Sequence, residues 1–135
     1  MSGWLLDASV LLAAEDSDDP NHADARRLLE AADPVATLDL ALYETVNVAI
    51  AAWGDAAAAR RLRELIAAVS DDGGLIRADP ALLDNAARIA LEHGISVYDA
   101  AYVAAARAAR ARLVSCDAAD LVSRQLAVLP SQANV

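Results

Sequence analysis

The sequence predicts an α/β fold in which a parallel sheet is flanked by helices. Short apolar runs such as Trp4-Leu5-Leu6 alternate with longer stretches of helical spacing, and this alternation is typical of a parallel sheet covered by helices. The runs are continuously apolar rather than alternating, as expected of strands buried on both faces. A chain of 135 residues is long enough to form one domain with its own core, and we expect residues 1–135 to do so.

The predicted strands lie at residues 4–6, 34–38, 75–77 and 113–116, and a further short apolar run at 127–129 brings the sheet to about five strands. Neither an internal repeat nor a linker interrupts this order. Each run is bounded on at least one side by an acidic, proline or glycine residue, and such residues favour turns and helix starts over longer strands.

Helices are predicted between the strands from their apolar spacing and end signals. Asp39 is expected to cap a helix that runs to Trp53, because aspartate is a preferred N-cap residue. Asp79-Pro80 is a strong start signal and His93-Gly94 a strong end signal. The other helices are expected to begin after Asp7 and at residues 21, 55, 96 and 117.

The composition excludes several classes of protein. Twenty acidic residues stand against eleven basic ones, giving a net charge of −9, and every base is arginine. A P-loop NTPase needs a lysine on its phosphates and Schiff-base chemistry needs a lysine amine, so both are excluded. The acidity also argues against a broad basic surface for nucleic acid.

The single cysteine, Cys116, cannot form an internal disulfide, which favours a reducing cytoplasm. The first residues show no basic region followed by a long apolar run, so no signal peptide is expected. The most apolar long stretch, 36–54, contains Asp39 and Glu44, and a bilayer span of about 20 nearly uncharged residues is therefore not expected.

Two aspartates directly follow predicted strands: Asp7 after the first and Asp117 after the fourth. Ligands of open α/β sheets bind at the carboxyl ends of the strands, so the two carboxylates converge if these strands are neighbours. Each aspartate also has a purely structural interpretation as a helix N-cap.

Asp99 and Glu44 are two further candidates. Ser96-x-x-Asp99 matches the spacing of a capping box, which is the structural alternative for Asp99. Glu44 lies in the middle of an apolar helix where no cap explains it, although Asn47 on the same face leaves a solvated polar stripe open. Four carboxylates in one cleft resist joint ionisation, and a hard divalent cation with oxygen ligands is their natural partner. Such a centre supports metal-assisted hydrolysis of a phosphodiester.

Four segments resemble, in order, the motifs of PIN-domain ribonucleases, especially the VapC-type toxins of bacterial toxin–antitoxin pairs. They are residues 5–12 (LLDASVLL), 43–47 (YETVN), 96–104 (SVYDAAYVA) and 113–117 (LVSCD). The resemblance implies a PIN-like three-layer fold and an endoribonuclease that hydrolyses RNA phosphodiester bonds with Mg²⁺ or Mn²⁺. Four carboxylates carry over as catalytic metal ligands that hold the attacking water: Asp7, Glu44, Asp99 and Asp117.

The resemblance also implies roles for neighbouring residues. Ser9 and Ser115 match positions where a small hydroxyl or amide orients the acids, and Ser115 stands where threonine is more usual. Cys116 is interpreted as a small buried apolar residue. Asp120 is interpreted as a solvated residue in the first turn of a helix.

The partners that the resemblance implies are an RNA substrate, a cognate antitoxin and a second copy of the chain in a cytoplasmic homodimer. Four apolar residues are candidates for a dimer patch and, equally, for the core: Trp53, Leu62, Leu65 and Ile66.

Two other functions compete with the nuclease. A catalytically inactive PIN-fold module would bind a metal or a partner without cleaving RNA. Aspartate-dependent phosphatases and receiver domains also begin with a strand-end aspartate, but both families depend on a lysine that this chain lacks.

Overall fold

The computed structural model describes residues 3–134, and within them four parallel strands form one sheet in the order β3-β2-β1-β4. The strands are β1 (Trp4–Leu6), β2 (Val35–Leu38), β3 (Leu75–Ile76) and β4 (Arg112–Val114). Trp4 pairs with Val35 of β2 on one side, and Leu6 pairs with Val114 of β4 on the other. This confirms the predicted α/β class with a parallel sheet.

The helices cover the sheet in two groups. The chain steps from β1 to β2 to β3 in one direction and then crosses back to β4. Because crossovers between parallel strands are right-handed, the reversal sends the last two helices to the opposite face from the first four. The helices are α1 (Ala8–Glu15), α2 (His22–Glu30), α3 (Leu40–Asn47), α4 (Ala56–Asp71), α5 (Pro80–His93) and α6 (Val97–Ala109).

The core forms on both faces of β1, whose three residues are all buried. On the face of the last two helices, residues 100–106 of α6 are buried without interruption, and α6 lies against β1, β2 and β4 while α5 packs on it. Five of these seven buried residues are alanines, and their small side chains let α6 approach the sheet and α5 closely. The alanine-rich stretch is therefore a packing element.

Two predicted elements differ from the structure. The expected fifth strand at 127–129 is wrong, because within the described residues it is reduced to one isolated bridge between Val128 and Val114. The helix expected from Asp39 to Trp53 ends as α-helix at Asn47 and continues as a π-helical turn, Val48–Ala52.

The prediction that Asp39 caps this helix is also wrong. Its carboxylate accepts hydrogen bonds from the backbone N–H of Ala78 at 3.2 and 3.3 Å, and its backbone is already helical. Asp39 therefore ties the start of α3 to the segment after β3 instead of closing its own helix.

The apolar residues proposed for a dimer patch belong largely to the core. Leu62 and Ile66 are fully buried, while Leu65 and Trp53 are partly buried against the same core. Across residues 3–134, no helix combines the length and apolarity that crossing a bilayer requires.

Candidate metal centre

The candidate site lies where the strand order reverses. β1 and β4 are neighbours, and the backbone N–H of Asp7 donates to Val114 O at 3.2 Å. Asp7 follows β1 directly and Asp117 follows β4 by three residues, so both aspartates lie at the same edge of the sheet. This is the topological switch point at which open α/β sheets bind ligands.

Asp7 is a buried carboxyl with only 5% of its surface exposed. Its Oδ1 accepts a hydrogen bond from the Ser9 hydroxyl at 2.5 Å and one from the Val10 N–H at 3.3 Å. Burial raises the pKa of Asp7 to about 6, against the lowering effect of the Ser115 and Ser9 hydroxyls and the Val10 N–H, and the nearby Asp99 charge adds to the rise. Asp7 thus caps α1 and also places in the site a carboxyl group whose charged form is disfavoured by burial.

Two serine hydroxyls connect the ends of β1 and β4. The Ser9 hydroxyl that donates to Asp7 accepts a hydrogen bond from the Cys116 N–H at 2.9 Å. The Ser115 hydroxyl accepts one from the Asp117 N–H at 3.0 Å and lowers the pKa of Asp7. Ser9 and Ser115 therefore both lie between the two strand-end aspartates.

Cys116 is half-buried beside this network. Burial is the main cause that raises the pKa of its thiol to about 11, so the thiol stays protonated near neutral pH. This agrees with its interpretation as a small apolar residue.

Three carboxylates form a compact group at the mouth of the site. Asp99, Asp117 and Asp120 each offer an oxygen, and these oxygens lie within 4.8 Å of one another. Burial raises the pKa of Asp99 first, and the Asp117 and Asp120 charges raise it further. Asp117 is also an N-cap, since its Oδ1 accepts from the Asp120 N–H at 2.9 Å. For α6 the cap is Ser96, whose Oγ accepts from the Asp99 N–H at 3.0 Å, and the hydrogen bonds of the described residues do not include the return bond of a capping box from the Ser96 N–H to the Asp99 carboxylate.

Glu44 stands outside that group of three and is held from the other side of the site. It is half-buried on α3, and its Oε1 accepts a hydrogen bond of 2.6 Å from the Tyr102 hydroxyl of α6. Burial and the Glu44 carboxylate raise the pKa of Tyr102 far above its usual value, with a further contribution from Asp7. Tyr102 therefore remains a donor and lies within the field of both acids.

Two residues of the site, Asp120 and Tyr102, lie outside the four carboxylates that the sequence predicts. Asp120 is exposed, as the solvated interpretation expected, yet its carboxylate joins the group of three and also pairs with Arg124 at 3.3 Å. Tyr102 was part of a motif without a function of its own. Its spacing of three residues from Asp99, which places both on one face of a helix, is the signal that finds it.

The donor set fits a hard divalent cation. All candidate ligands are carboxylate oxygens, which Mg²⁺ and Mn²⁺ prefer. The like charges of Asp99, Asp117 and Asp120 raise the pKa of Asp99, and a bound cation would reverse that effect. Asp99, Asp117 and Asp120 could hold such an ion through oxygens that lie within 4.8 Å of one another. Asp7 and Glu44 are not members of that group.

A cluster of carboxylates at the switch point of a four-stranded parallel sheet defines an α/β domain with a candidate cation site. The PIN domain family model matches residues 4–123, and the chain therefore belongs to the PIN domain family. Among curated proteins, none matches the chain significantly.

Solved structures share the fold over nearly the whole chain. A toxin–antitoxin complex from Klebsiella pneumoniae is 18% identical with a TM-score of 0.72, covering 95% of this chain and 98% of its own. VapC20 of Mycobacterium tuberculosis, described as a toxin that cleaves the sarcin–ricin loop, is 20% identical with a TM-score of 0.69, covering 87% and 92%. PAE2754 from Pyrobaculum aerophilum is 27% identical with a TM-score of 0.68, covering 97% and 93%.

Proposed function

We propose that this chain is a divalent-metal-dependent endoribonuclease and the VapC-type toxin of a toxin–antitoxin pair. The observation that carries the proposal is the group formed by Asp99, Asp117 and Asp120, whose oxygens lie within 4.8 Å of one another, beside the buried Asp7 at the switch point. PIN domains are generally nucleases, and they typically bind a divalent metal.

The protein's own groups build the site in layers. Asp99 and Asp117 are proposed as metal ligands at the mouth, and Asp7 and Glu44 as ligands and holders of the attacking water farther in. Ser9 and Ser115 orient the acids through the hydrogen bonds between the ends of β1 and β4. When bound, Mg²⁺ or Mn²⁺ polarises the phosphoryl group and lowers the pKa of a water molecule.

RNA as the substrate and toxicity as the role are supported by the structural relatives. VapC20 is described as cleaving the sarcin–ricin loop, and the Klebsiella pneumoniae relative is a toxin–antitoxin complex. The net charge of −9 disfavours nonspecific RNA affinity, so recognition is expected to be confined to the metal-loaded cleft and its rim.

The test is cleavage of a single-stranded RNA by the purified chain with Mg²⁺, with Mn²⁺ and with excess chelator. We expect cleavage only with metal, and we expect Asp99→Asn to abolish it. Asp84→Asn is the matched control, because Asp84 is an exposed aspartate on α5. This variant should cleave the RNA like the wild type. A DNA strand of the same sequence should remain intact.

Two outcomes contradict the proposal. Cleavage that survives chelation would refute the metal mechanism. A well-folded chain that binds Mn²⁺ but cleaves no cellular RNA would instead identify a catalytically inactive PIN module.

The remaining parts of the proposal concern assembly. We propose one PIN domain over residues 1–135 that acts in the cytoplasm, dimerises with a second copy and is inhibited by a cognate antitoxin. Expression of the chain alone should slow growth, and co-expression of the neighbouring gene product should relieve it. Light scattering of the purified chain measures its molar mass in solution. A monomeric mass at micromolar concentration would refute the proposed homodimer.

A further inference from the structure

Tyr102 connects two helices that approach the site from different faces of the sheet. It lies on α6 three residues after Asp99, so both side chains leave the same face of that helix. Tyr102 itself is only 2% exposed, and its hydroxyl donates to Glu44 Oε1 at 2.6 Å. The bond joins residues 58 positions apart in the chain.

The Glu44 carboxylate needs such a partner to be held in one place. Glu44 sits in the middle of α3 and is only half-buried, and a long glutamate side chain has rotamer freedom that a metal ligand must give up. A hydrogen bond to an ionised carboxylate is among the strong ones. A carboxylate that accepts at Oε1 still has lone pairs on Oε2 for a cation or a water molecule.

We propose that Tyr102 is a positioning residue whose hydroxyl holds the Glu44 carboxylate in the orientation it needs in the metal site. This inference rests on the proposed function, since it assigns Glu44 to the metal centre. α6 then contributes twice, with a ligand from Asp99 and an anchor for Glu44 from Tyr102.

The competing explanation is that Tyr102 serves only to fill the core. The substitution Tyr102→Phe separates the two, because it keeps the buried ring and removes only the hydroxyl. The matched control is Tyr43→Phe, which removes the same hydroxyl from a tyrosine that precedes Glu44 and is 80% exposed.

The experiment titrates each folded variant with Mn²⁺ by electron paramagnetic resonance, and measures thermal unfolding and RNA cleavage in parallel. Tyr102→Phe should weaken Mn²⁺ binding roughly 10-fold, the scale found when a group that orients a metal ligand is removed. Tyr43→Phe should bind Mn²⁺ like the wild type. In a Glu44→Gln background, Tyr102→Phe should add no further loss, since the two changes act through one carboxylate.

A second variant keeps the test decisive if Tyr102→Phe does not fold. Glu44→Asp keeps the charge but withdraws the carboxylate by one methylene from the Tyr102 hydroxyl, and it should weaken Mn²⁺ binding to a similar extent. Wild-type affinity in Glu44→Asp would overturn the inference.

The remaining outcomes distinguish this inference from the proposed function. If the wild type binds Mn²⁺ and cleaves RNA while Tyr102→Phe matches Tyr43→Phe, Tyr102 is not a positioning residue and the nuclease proposal stands. An equal loss from Tyr102→Phe with and without Glu44→Gln would also overturn it, because the hydroxyl then acts elsewhere. A wild type that neither binds Mn²⁺ nor cleaves RNA would remove the proposed function itself.

Discussion

Asp7 is expected to destabilise the folded protein in the absence of metal, so that Asp7→Asn makes the chain more stable. Asp7 is buried, and its pKa in the folded state rises from 3.8 to about 6 because burial disfavours the charged form. Asparagine has the same shape, accepts the same hydrogen bonds from Ser9 and Val10, and caps a helix about as well as aspartate. The substitution therefore removes the cost of a buried charge, and the Ser9 and Ser115 hydroxyls meet a neutral amide in place of the carboxylate.

The pH dependence follows from proton binding. The folded state holds the Asp7 proton more tightly than the unfolded state, so the stability of the wild type falls as the pH rises from 3.8 to about 6 and is level above that. At about 1.4 kcal/mol per pKa unit, Asp7→Asn should gain about 3 kcal/mol at pH 7.5 and only about 1 kcal/mol at pH 4.5.

The assay is urea unfolding of the wild type and Asp7→Asn with chelator at both pH values. Asp84→Asn, an exposed aspartate on α5, should change stability by no more than about 0.5 kcal/mol at either pH. Saturating Mn²⁺ should raise the free energy of unfolding of the wild type, because a ligand that binds only the folded state stabilises it. Asp7→Asn lacks one proposed ligand and should gain less, so the difference in stability between the two proteins should become smaller. A difference in stability between wild type and Asp7→Asn that does not change with pH, or a loss of stability in Asp7→Asn at pH 7.5, would show that the buried Asp7 charge does not destabilise the fold.

Two further predictions concern stability and are measured by urea unfolding at pH 7.5. Leu62→Ala should lower the free energy of unfolding by about 2–5 kcal/mol, because it opens a cavity at a fully buried position. Leu91→Ala, at a side chain that is 87% exposed, should change it by no more than about 0.5 kcal/mol. Equal effects would show that Leu62 does not belong to the core. Gly94→Ala should lower the free energy of unfolding by about 1–2 kcal/mol. The cost comes from the left-handed backbone at φ of 65° alone, since an added Cβ meets nothing within 4 Å. An unchanged stability would contradict the left-handed end of α5.

Features decided by neighbouring residues were predictable from the sequence. Asp79 caps α5 by accepting from the Leu82 N–H at 2.8 Å, Pro80 begins that helix, and Gly94 ends it with φ of 65°. These predictions are confirmed because a cap and a turn depend on backbone geometry within three or four residues. The β1 strand was also predictable, since a short, continuously apolar run that ends at Asp7 is typical of a strand buried on both faces.

Asp39 shows where local reasoning fails. Its residue type and position suit an N-cap, but its carboxylate binds the N–H of Ala78, 39 residues away. A distant donor competes for the same oxygens, and nothing near Asp39 in the sequence reveals it. The fifth strand expected at 127–129 is wrong for a related reason. How many of its residues pair depends on β4, which ends at Val114, and only Val128 forms a bridge to it.

The order of residues alone indicates which acids end strands and which interrupt apolar helices, and its four motifs predict a family that the PIN match confirms. That β1 and β4 are neighbours, that Asp120 joins Asp99 and Asp117, and that Tyr102 reaches Glu44 is visible only in the folded chain. The two kinds of feature differ in the sequence distance over which they are set. Caps and turns depend on backbone within a few residues. The burial that raises the pKa of Asp7, and the repulsion between carboxylates that raises the pKa of Asp99, depend on how distant segments pack.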